Sequence, residues 1–561
     1  MKKRLVLLIL ILLICFVLHL LAITKVPPGL NNDEVVDGYD AYSILITGKD
    51  QWNTVFPLEF KSFGDNKLPL FIYSLVPFVY FFGLNAFSLR LAAALFAVLL
   101  VWAVFLLAKK LFNETIAILA CLLLTISPWF FSLSRAAHEG PLHTAFIVFG
   151  LYFFLKALKK EKFYIPSFIF FSLSFYTYHT ARLFVPLLLT ILIILYRKKI
   201  YQQRKVFLLS LVLAVFLCLP IFVSLFNGKA SARLIQTNII KDSGTIDLLN
   251  EKRGECMTKA PFIVCRAIYN KPAVFTQKFI SNYLHHFSLD FLFLEGSAKG
   301  VMGTSNYLYF SIIPFLAIGI YFLFKEKKEI IYFLGAWFVA APVADSLTSA
   351  GHYSRSFILI VPIVIVVSLG IYKTYKKIIS NTWKKLFISV LALFLLFETG
   401  SFCADYFFHY PKYFSMYTHY EYEPLFEYLK TIEDDYSQIY ISSRTRDTKQ
   451  YAFYLFYNKY SPKDFQEKKD VEWTIEDNGW IRINRIGKFH FIPSIPDIES
   501  LPDNSLLIGD PKTEINSLIT TAEIIPEKEK PLIEGVKTIK FLNEDPAFSI
   551  VQLIKEQSND F

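Results

Sequence analysis

Two carboxylates stand side by side at Asp33-Glu34, directly after the first long apolar run, and Asp37, Tyr39, Asp40 and Tyr42 follow them. A carboxylate within hydrogen-bond reach of a hydroxyl can take its proton as the oxygen attacks an electrophile. Further ionisable groups gather at the ends of the apolar runs and leave their middles nearly bare. Asp65 and Lys67 precede a short apolar stretch and Arg90 follows it; Arg135, His138, Glu139 and His143 come next, then His179 and Arg182, then Asp345, His352, Tyr353 and Arg355. Arginine presents a planar fork that suits phosphate or carboxylate. Any one of these arginines is most simply a snorkelling side chain or half of a local ion pair. As a set they read as a site for an anionic headgroup. His138, Glu139 and His143 offer nitrogen and oxygen donors for a divalent metal, though three donors so close together on one helix define a metal site weakly.

The elements that must position these groups are membrane spans. The chain has 561 residues, 54% of them hydrophobic and 19% charged. Near-continuous apolar runs recur, each approaching the ~20 residues needed to cross ~30 Å of hydrocarbon. A net charge of +11 raises nucleic acid as a partner. Its placement excludes that, because most Lys and Arg fall between apolar runs. The partner of this surface is a lipid bilayer.

About eleven spans are expected, at roughly 5–24, 88–108, 115–133, 141–158, 163–179, 182–196, 205–226, 306–324, 330–344, 355–372 and 386–403. The first is read as a retained span, since no small-residue cleavage site follows it. Basic clusters at Lys2 to Arg4, Lys109-Lys110, Lys156 to Lys162, Arg197 to Lys205, Lys325 to Lys328 and Lys373 to Lys385 fall at alternate turns. The positive-inside rule places them in the cytoplasm, provided that Leu68 to Gly83 lies in the outer leaflet as an interfacial helix. If that stretch crossed, every later cluster would invert. The N-terminus is then inside, the loops 25–87 and 227–305 and the C-terminus outside, and the protein sits in the cytoplasmic (plasma) membrane. The inner turns are dominated by Lys, and the tight outer turns use Arg.

From Asp405 hydrophobicity drops and charge rises. Residues 1–404 are expected as a transmembrane domain and 405–561 as an extracytoplasmic α/β domain. QIYIS (438–442), WIRINRI (480–486), SLLIG (505–509) and FSIVQLI (548–554) read as strands, and KQYAFYLFYN (449–458) as a helix. Cys256 and Cys265 lie in one polar loop, where a local disulfide and two free thiols are evenly balanced readings.

Several of these pieces occur in a recognisable order. Asn32-Asp33-Glu34 with Tyr39 and Ala41, then Gly64-Asp65-Asn66-Lys67-Leu68-Pro69-Leu70, then Phe82-Gly83 with Ser88-Leu89-Arg90-Leu91, resembles the GT-C glycosyltransferases. The likeness is strongest to the family 39 protein-mannosyltransferase-like branch and the related aminoarabinose-transferase branch. Ser134-Arg135-Ala136-Ala137-His138-Glu139 is similar to their second acidic motif, and a Lys-Pro-Pro of the pattern stands here as Lys67-Leu68-Pro69. The resemblance covers roughly residues 5–370. It implies a mainly α, polytopic GT-C enzyme. Such an enzyme moves a sugar, with inversion, from a polyprenyl-phosphate donor to an acceptor hydroxyl on the outer face. Asp33 matches the catalytic aspartate, and Glu34 is its neighbour, placed to orient it or to contact sugar or acceptor. Lys67 matches the lysine near the lipid phosphate. Glu139 matches a position that helps to hold a divalent metal in some relatives; no other cofactor is implied. Asp65, Arg90, Arg135, His179, Arg182, His352, Tyr353 and Arg355 complete the expected donor-binding set. The acceptor is open among lipid, glycan and protein. The competing readings are a transporter or flippase for lipid-linked glycans and a non-catalytic envelope scaffold. The first lacks the expected midplane charges, and under the second Asp33 is dispensable.

Overall fold

A computed structural model describes residues 2–63, 65–226, 243–294, 306–443, 449–476, 481–524 and 532–555. Gly64 and Trp480, and residues 227–242 and 295–305 of the long loop, lie outside the described residues. The chain is mainly helical and divides into two compact units: 1–21, 68–71 and 93–405 form the first, and 22–67, 72–92 and 406–561 the second.

In the first unit, helices stand at the expected apolar runs: α1 (Lys2–Leu20), α5 (Glu114–Ile126) with α6 (Pro128–Arg135), α7 (Gly140–Ala157), α8 (Tyr164–Phe175), α9 (Ala181–Gln202) and α10 (Arg204–Phe226). The order continues through the loop helices α11 (Ser243–Met257), α12 (Phe262–Ile268) and α13 (Lys271–His285) to α14 (Ile313–Leu323), α15 (Lys328–Ala340), α16 (Ile360–Lys377) and α17 (Asn381–Ala404). Helix α4 (Ala86–Leu111) runs through both units. The core is centred on α16, whose residues from Ile360 to Ile371 are all buried. α14 crosses α16 closely: a Cβ on Gly319 would meet the carbonyl of Val366, and one on Gly370 the carbonyl of Phe315. Backbones approach that closely only where small residues line the crossing. α10 and α17 instead leave most of their apolar side chains exposed, among them Val212, Phe216, Phe394 and Phe397. That is the pattern of helices facing lipid.

The span count differs from the expectation of about eleven. Among the described residues six helices are long and apolar enough to cross a membrane, or seven if the α5–α6 pair, bent by 59°, is one span. Pro128 opens α6 after a non-helical Ser127, which accounts for the break. α1, α8 and α14 are apolar but short. The expected interfacial stretch is α3 (Pro69–Phe82), 14 residues with Pro77 inside. At about 1.5 Å per residue it falls short of ~30 Å of hydrocarbon, as α8 and α14 also do, so length alone does not separate an interfacial helix from a short crossing.

The second unit holds α2 (Asn32–Thr47), a hairpin of β1 (Phe60–Ser62) and β2 (Asp65–Lys67), and a mixed seven-stranded sheet. The sheet order is β4 (Val471–Ile475), β5 (Ile481–Ile486), β6 (Phe489–Ile492), β3 (Gln438–Ser442), β7 (Ser505–Gly509), β9 (Pro546–Ile554) and β8 (Leu532–Lys540). β3 is central and parallel to both neighbours; the other pairs are antiparallel. Helices α18 (Tyr422–Ile432), α19 (Gln450–Tyr457) and α20 (Pro462–Gln466) accompany it. The four expected strands and the expected helix are present, with Trp480 aside.

Candidate functional site

The candidate residues fall into two groups, one in each unit. In the second unit the frame is the start of α2. Asn31 caps the helix: its side-chain oxygen accepts from the backbone N–H groups of Asp33 (2.9 Å) and Glu34 (3.0 Å). The carboxylate of Glu34 reaches back to accept from the Asn31 N–H at 3.1 Å. This reciprocal capping box fixes the first turn, and both acids lie where the helix dipole favours negative charge.

The two neighbouring carboxylates have different surroundings. Glu34 is buried and accepts from Arg90 Nε at 2.9 Å. Arg90 is itself fully buried. Its remaining N–H groups go to Glu34 at 3.3 Å and to the carbonyls of Ile23, Pro27 and Gly29 at 3.0, 2.8 and 2.5 Å. The pair is thus a clamp that ties α4 to the segment before α2. Asp33 points outward, its side chain 69% exposed. Lys67 Nζ lies 2.9 Å from Asp33 Oδ1 and 2.9 Å from Asp37 Oδ1, and donates to the Asp33 carbonyl at 3.2 Å. Asp37, one turn further along α2 and only 5% exposed, was not among the expected site residues. Its spacing of four from Asp33 on one helical face was the signal. Asp65 lies in β2, opposite Ser62.

Residues from the C-terminal part of the chain hold α2 in place. Gln466 Nε2 donates to Ser43 Oγ, Thr47 Oγ1 and the Asp50 carbonyl, each at 2.9 Å. Tyr39 donates to the Tyr460 carbonyl at 3.0 Å, and Asn32 meets His419 at 3.2 Å. Gly38 lets Phe456 and Leu89 close against the helix backbone. Asp40 is fully buried, with Gln51 donating to both of its oxygens at 3.1 Å. Burial first, and then the charge of Asp50, pushes the Asp40 carboxyl well above the ordinary aspartate range.

In the first unit Arg135 caps α1. Its Nη1 donates to the carbonyls of Leu18 (2.9 Å) and His19 (2.8 Å), and its Nη2 to that of Leu21 (2.6 Å). These are carbonyls at the negative end of the helix dipole, which a guanidinium satisfies. His19 in turn bonds Ser134 Oγ at 2.6 Å. A second cluster gathers around Tyr178. The ring of His138 lies 5.8 Å from it, that of His143 5.5 Å, and the Tyr178 hydroxyl is 3.0 Å from Ser354 Oγ. His352 stacks on Tyr353 at 4.5 Å, and its Nδ1 is 3.0 Å from Ser354 Oγ. Arg355 donates to Thr348 Oγ1 at 2.7 Å. His179 and Arg182 are half-buried at the turn into α9.

The 345–355 turn owes its shape to Asp345, which is fully buried. Its carboxylate accepts from His286 Nε2 (2.9 Å), from Ser349 Oγ (2.7 Å) and from the His352 N–H (2.5 Å). His286, at the end of α13, was not anticipated; it reads in the sequence as one of two loop histidines.

The possible metal set does not assemble. His138 Nδ1 is 3.5 Å from Glu139 Oε2 and accepts from the Gly140 N–H at 2.9 Å, whereas His143 Nε2 is 3.2 Å from Thr180 Oγ1. Among the described residues no group of three or more His, Cys, Asp or Glu is arranged to hold a metal.

Apolar helices joined to a mixed α/β unit, with a carboxylate-bearing helix after the first span, define a class. The fold is that of the GT-C glycosyltransferases, in a multi-pass membrane protein. The chain is similar to ArnT from Cupriavidus metallidurans bound to undecaprenyl phosphate, with a TM-score of 0.55 at 12% identity over 97% of each chain. The apo state of the same protein gives 0.54. The Archaeoglobus fulgidus oligosaccharyltransferase tethered to an acceptor peptide containing the NVT sequon gives 0.52 at 14% identity, over 81% of this chain and 62% of that one. The family model described as dolichyl-phosphate-mannose-protein mannosyltransferase matches residues 66–223. No curated protein matches the chain.

Proposed function

We propose that the chain transfers a sugar from a polyprenyl-phosphate-linked donor to an acceptor hydroxyl at the outer face of the membrane, with inversion and with Asp33 as general base. The observation that carries this reading is the contrast at the start of α2. One carboxylate is clamped and buried, while its neighbour is presented to solvent on a capped helix with a lysine beside it. The family match over 66–223 and the undecaprenyl phosphate bound by ArnT support a lipid-phosphate donor.

In the proposed step the acceptor hydroxyl gives its proton to Asp33 as its oxygen attacks the anomeric carbon. The bond to the lipid phosphate breaks on the opposite face. The phosphate leaves with the electron pair, and a nearby cation stabilises the charge that develops. Lys67 is assigned that role. Asp37 is its fixed partner: the Asp33 carboxylate is 69% exposed and open to exchange for substrate, while the buried Asp37 keeps the ammonium in place. Arg182, His179, His352, Tyr353 and Arg355 are the proposed headgroup contacts of the first unit. Arg90 and Arg135 are withdrawn from the expected donor set, because their N–H groups are engaged by Glu34 and by backbone carbonyls. Glu34 is assigned to the clamp. No step is routed through a metal.

The test uses membranes and radiolabelled polyprenyl-phosphate sugars. Wild type is expected to release polyprenyl phosphate and Asp33→Asn to release none. Equal release by both removes Asp33 from the chemistry.

A further inference from the structure

The loop between α10 and α14 carries an apolar tip with no role in the reaction above. α12 exposes Phe262, Ile263, Val264 and Ile268, with Ile263 79% exposed. Such side chains left in water are a liability, so a contiguous group of them marks a surface that something covers. The tip is also held firmly. A disulfide joins Cys256 at the end of α11 to Cys265 inside α12, and Arg253 donates from Nε (3.0 Å) and Nη2 (2.7 Å) to the Tyr269 carbonyl just beyond α12. At its far end the loop is tied to the body of the first unit: Asn282 donates to the Ser346 carbonyl at 3.1 Å, and His286 bonds Asp345. The apolar side chains therefore project from a braced corner.

Charge identifies the occupant. Between Glu255 and Asp290 the chain has no carboxylate, while Lys259, Arg266, Lys271 and Lys278 all fall there. Arg266 lies over the ring of Phe262, 5.7 Å from its centroid, the posture of a cation that lays its stem on apolar surface and keeps its head in water. Apolar side chains with Arg266 among them and Lys259 and Lys271 flanking them in sequence suit the boundary between headgroups and acyl chains of an anionic leaflet. A second copy of the same tip would meet its own positive charge.

We propose that α12 is a bilayer anchor. Phe262, Ile263, Val264 and Ile268 enter the headgroup–acyl boundary, Lys259, Arg266 and Lys271 pair with lipid phosphates, and the loop is thereby held against the membrane surface.

The test uses full-length protein carrying Ile263→Cys, labelled with an environment-sensitive nitrobenzoxadiazole dye. It is reconstituted in phosphatidylcholine vesicles with or without phosphatidylglycerol, with labelled wild type subtracted as background. Because Ile263 is exposed, this substitution leaves the packing intact. The dye is expected to shift to the blue, and to be quenched severalfold more by nitroxides on shallow acyl carbons than by iodide. The shift is expected to be larger in the anionic vesicles. Adding Lys259→Glu, Arg266→Glu and Lys271→Glu is expected to abolish the difference between the two vesicle types. A dye quenched by iodide and untouched by the lipid nitroxides overturns the proposal. So does a dye shielded from both quenchers, which would mean protein covers the tip, and so does a difference between vesicles that survives the charge reversal.

Discussion

Asp33 and Glu34 are neighbours in sequence and opposites in environment, and substitution should separate them. Glu34→Gln leaves the fully buried Arg90 without a counter-charge, and breaking a buried pair from one side costs about 3–5 kcal/mol. The expected result is a large fall in Tm in detergent, with activity lost along with the fold. Asp33→Asn alters a carboxylate that is 69% exposed, and Lys67 keeps Asp37 as a partner, so the cost is expected to be well below that of a broken buried pair. Its Tm should stay near wild type while turnover disappears. Similar losses of Tm in the two variants would place Asp33 in the scaffold. Asp40 makes a pH prediction. Its carboxyl is held well above the ordinary range by burial, with the charge of Asp50 adding to it. The folded state therefore keeps this proton more tightly than the unfolded chain does. That contribution to stability is fully present below the unfolded pKa and declines as pH rises toward the folded value. Asp40→Asn removes the slope. The Tm of the variant minus that of wild type should grow as pH rises, and a difference independent of pH would show that Asp40 is not protonated in the fold.

At the scale of the elements, the close crossing of α14 and α16 is the sharpest feature of the first unit. Gly319→Val must push its side chain into the carbonyl of Val366, and overpacking of this kind costs about 1–3 kcal/mol. Gly335→Ala in α15 adds a Cβ where nothing lies within 4 Å. The first should lower Tm and the second should not; equal effects would mean that helix propensity, not the crossing, governs both. This crossing was invisible in the sequence, where Gly319 and Gly370 are two small residues in apolar runs. What was legible followed from periodicity and length: a helix at each apolar run, α3 among them, the strands β3, β5, β7 and β9, and the helix 450–457. The other strands were missed for physical reasons. β4 and β8 are edge strands that carry charge and expose much of their length, and β6 has only four residues. In the site, the carboxylate pair after the first apolar run drew attention to Asp33, and the family resemblance added Lys67. They could not show that Arg90 and Arg135 spend their N–H groups on carbonyls, because those carbonyls are brought to them only by the folded backbone. His286 and Asp345, 59 residues apart, were hidden for the same reason.

Across the whole molecule, the placement of charge and the length of the helices make separate statements about the membrane. The alternating Lys-rich turns call for about eleven crossings and a C-terminal part outside; among the described residues, six or seven helices are long and apolar enough to cross. The two agree if α9, interrupted by the non-helical Tyr196, and the short apolar helices α1, α8 and α14 also cross within a bundle, where neighbours cover their ends and the bilayer thins locally. Orientation can then be read from single cysteines labelled in intact cells with a membrane-impermeant maleimide. A reporter belongs on side chains that the fold leaves open. Ser505 is buried in β7 and would not react, whereas Asp434 is fully exposed. Asp434→Cys and Glu251→Cys should label from outside without lysis. Lys198→Cys, in the basic turn after the sixth expected span, should label only after permeabilisation. The Cys256–Cys265 disulfide fits the same side, since such bonds persist in oxidising compartments. Labelling of Lys198→Cys from outside, with Asp434→Cys protected, would invert the topology and set Asp33 against the cytoplasm. Labelling of both from outside would instead remove an odd number of crossings between them, and the short α14 would be the first to go.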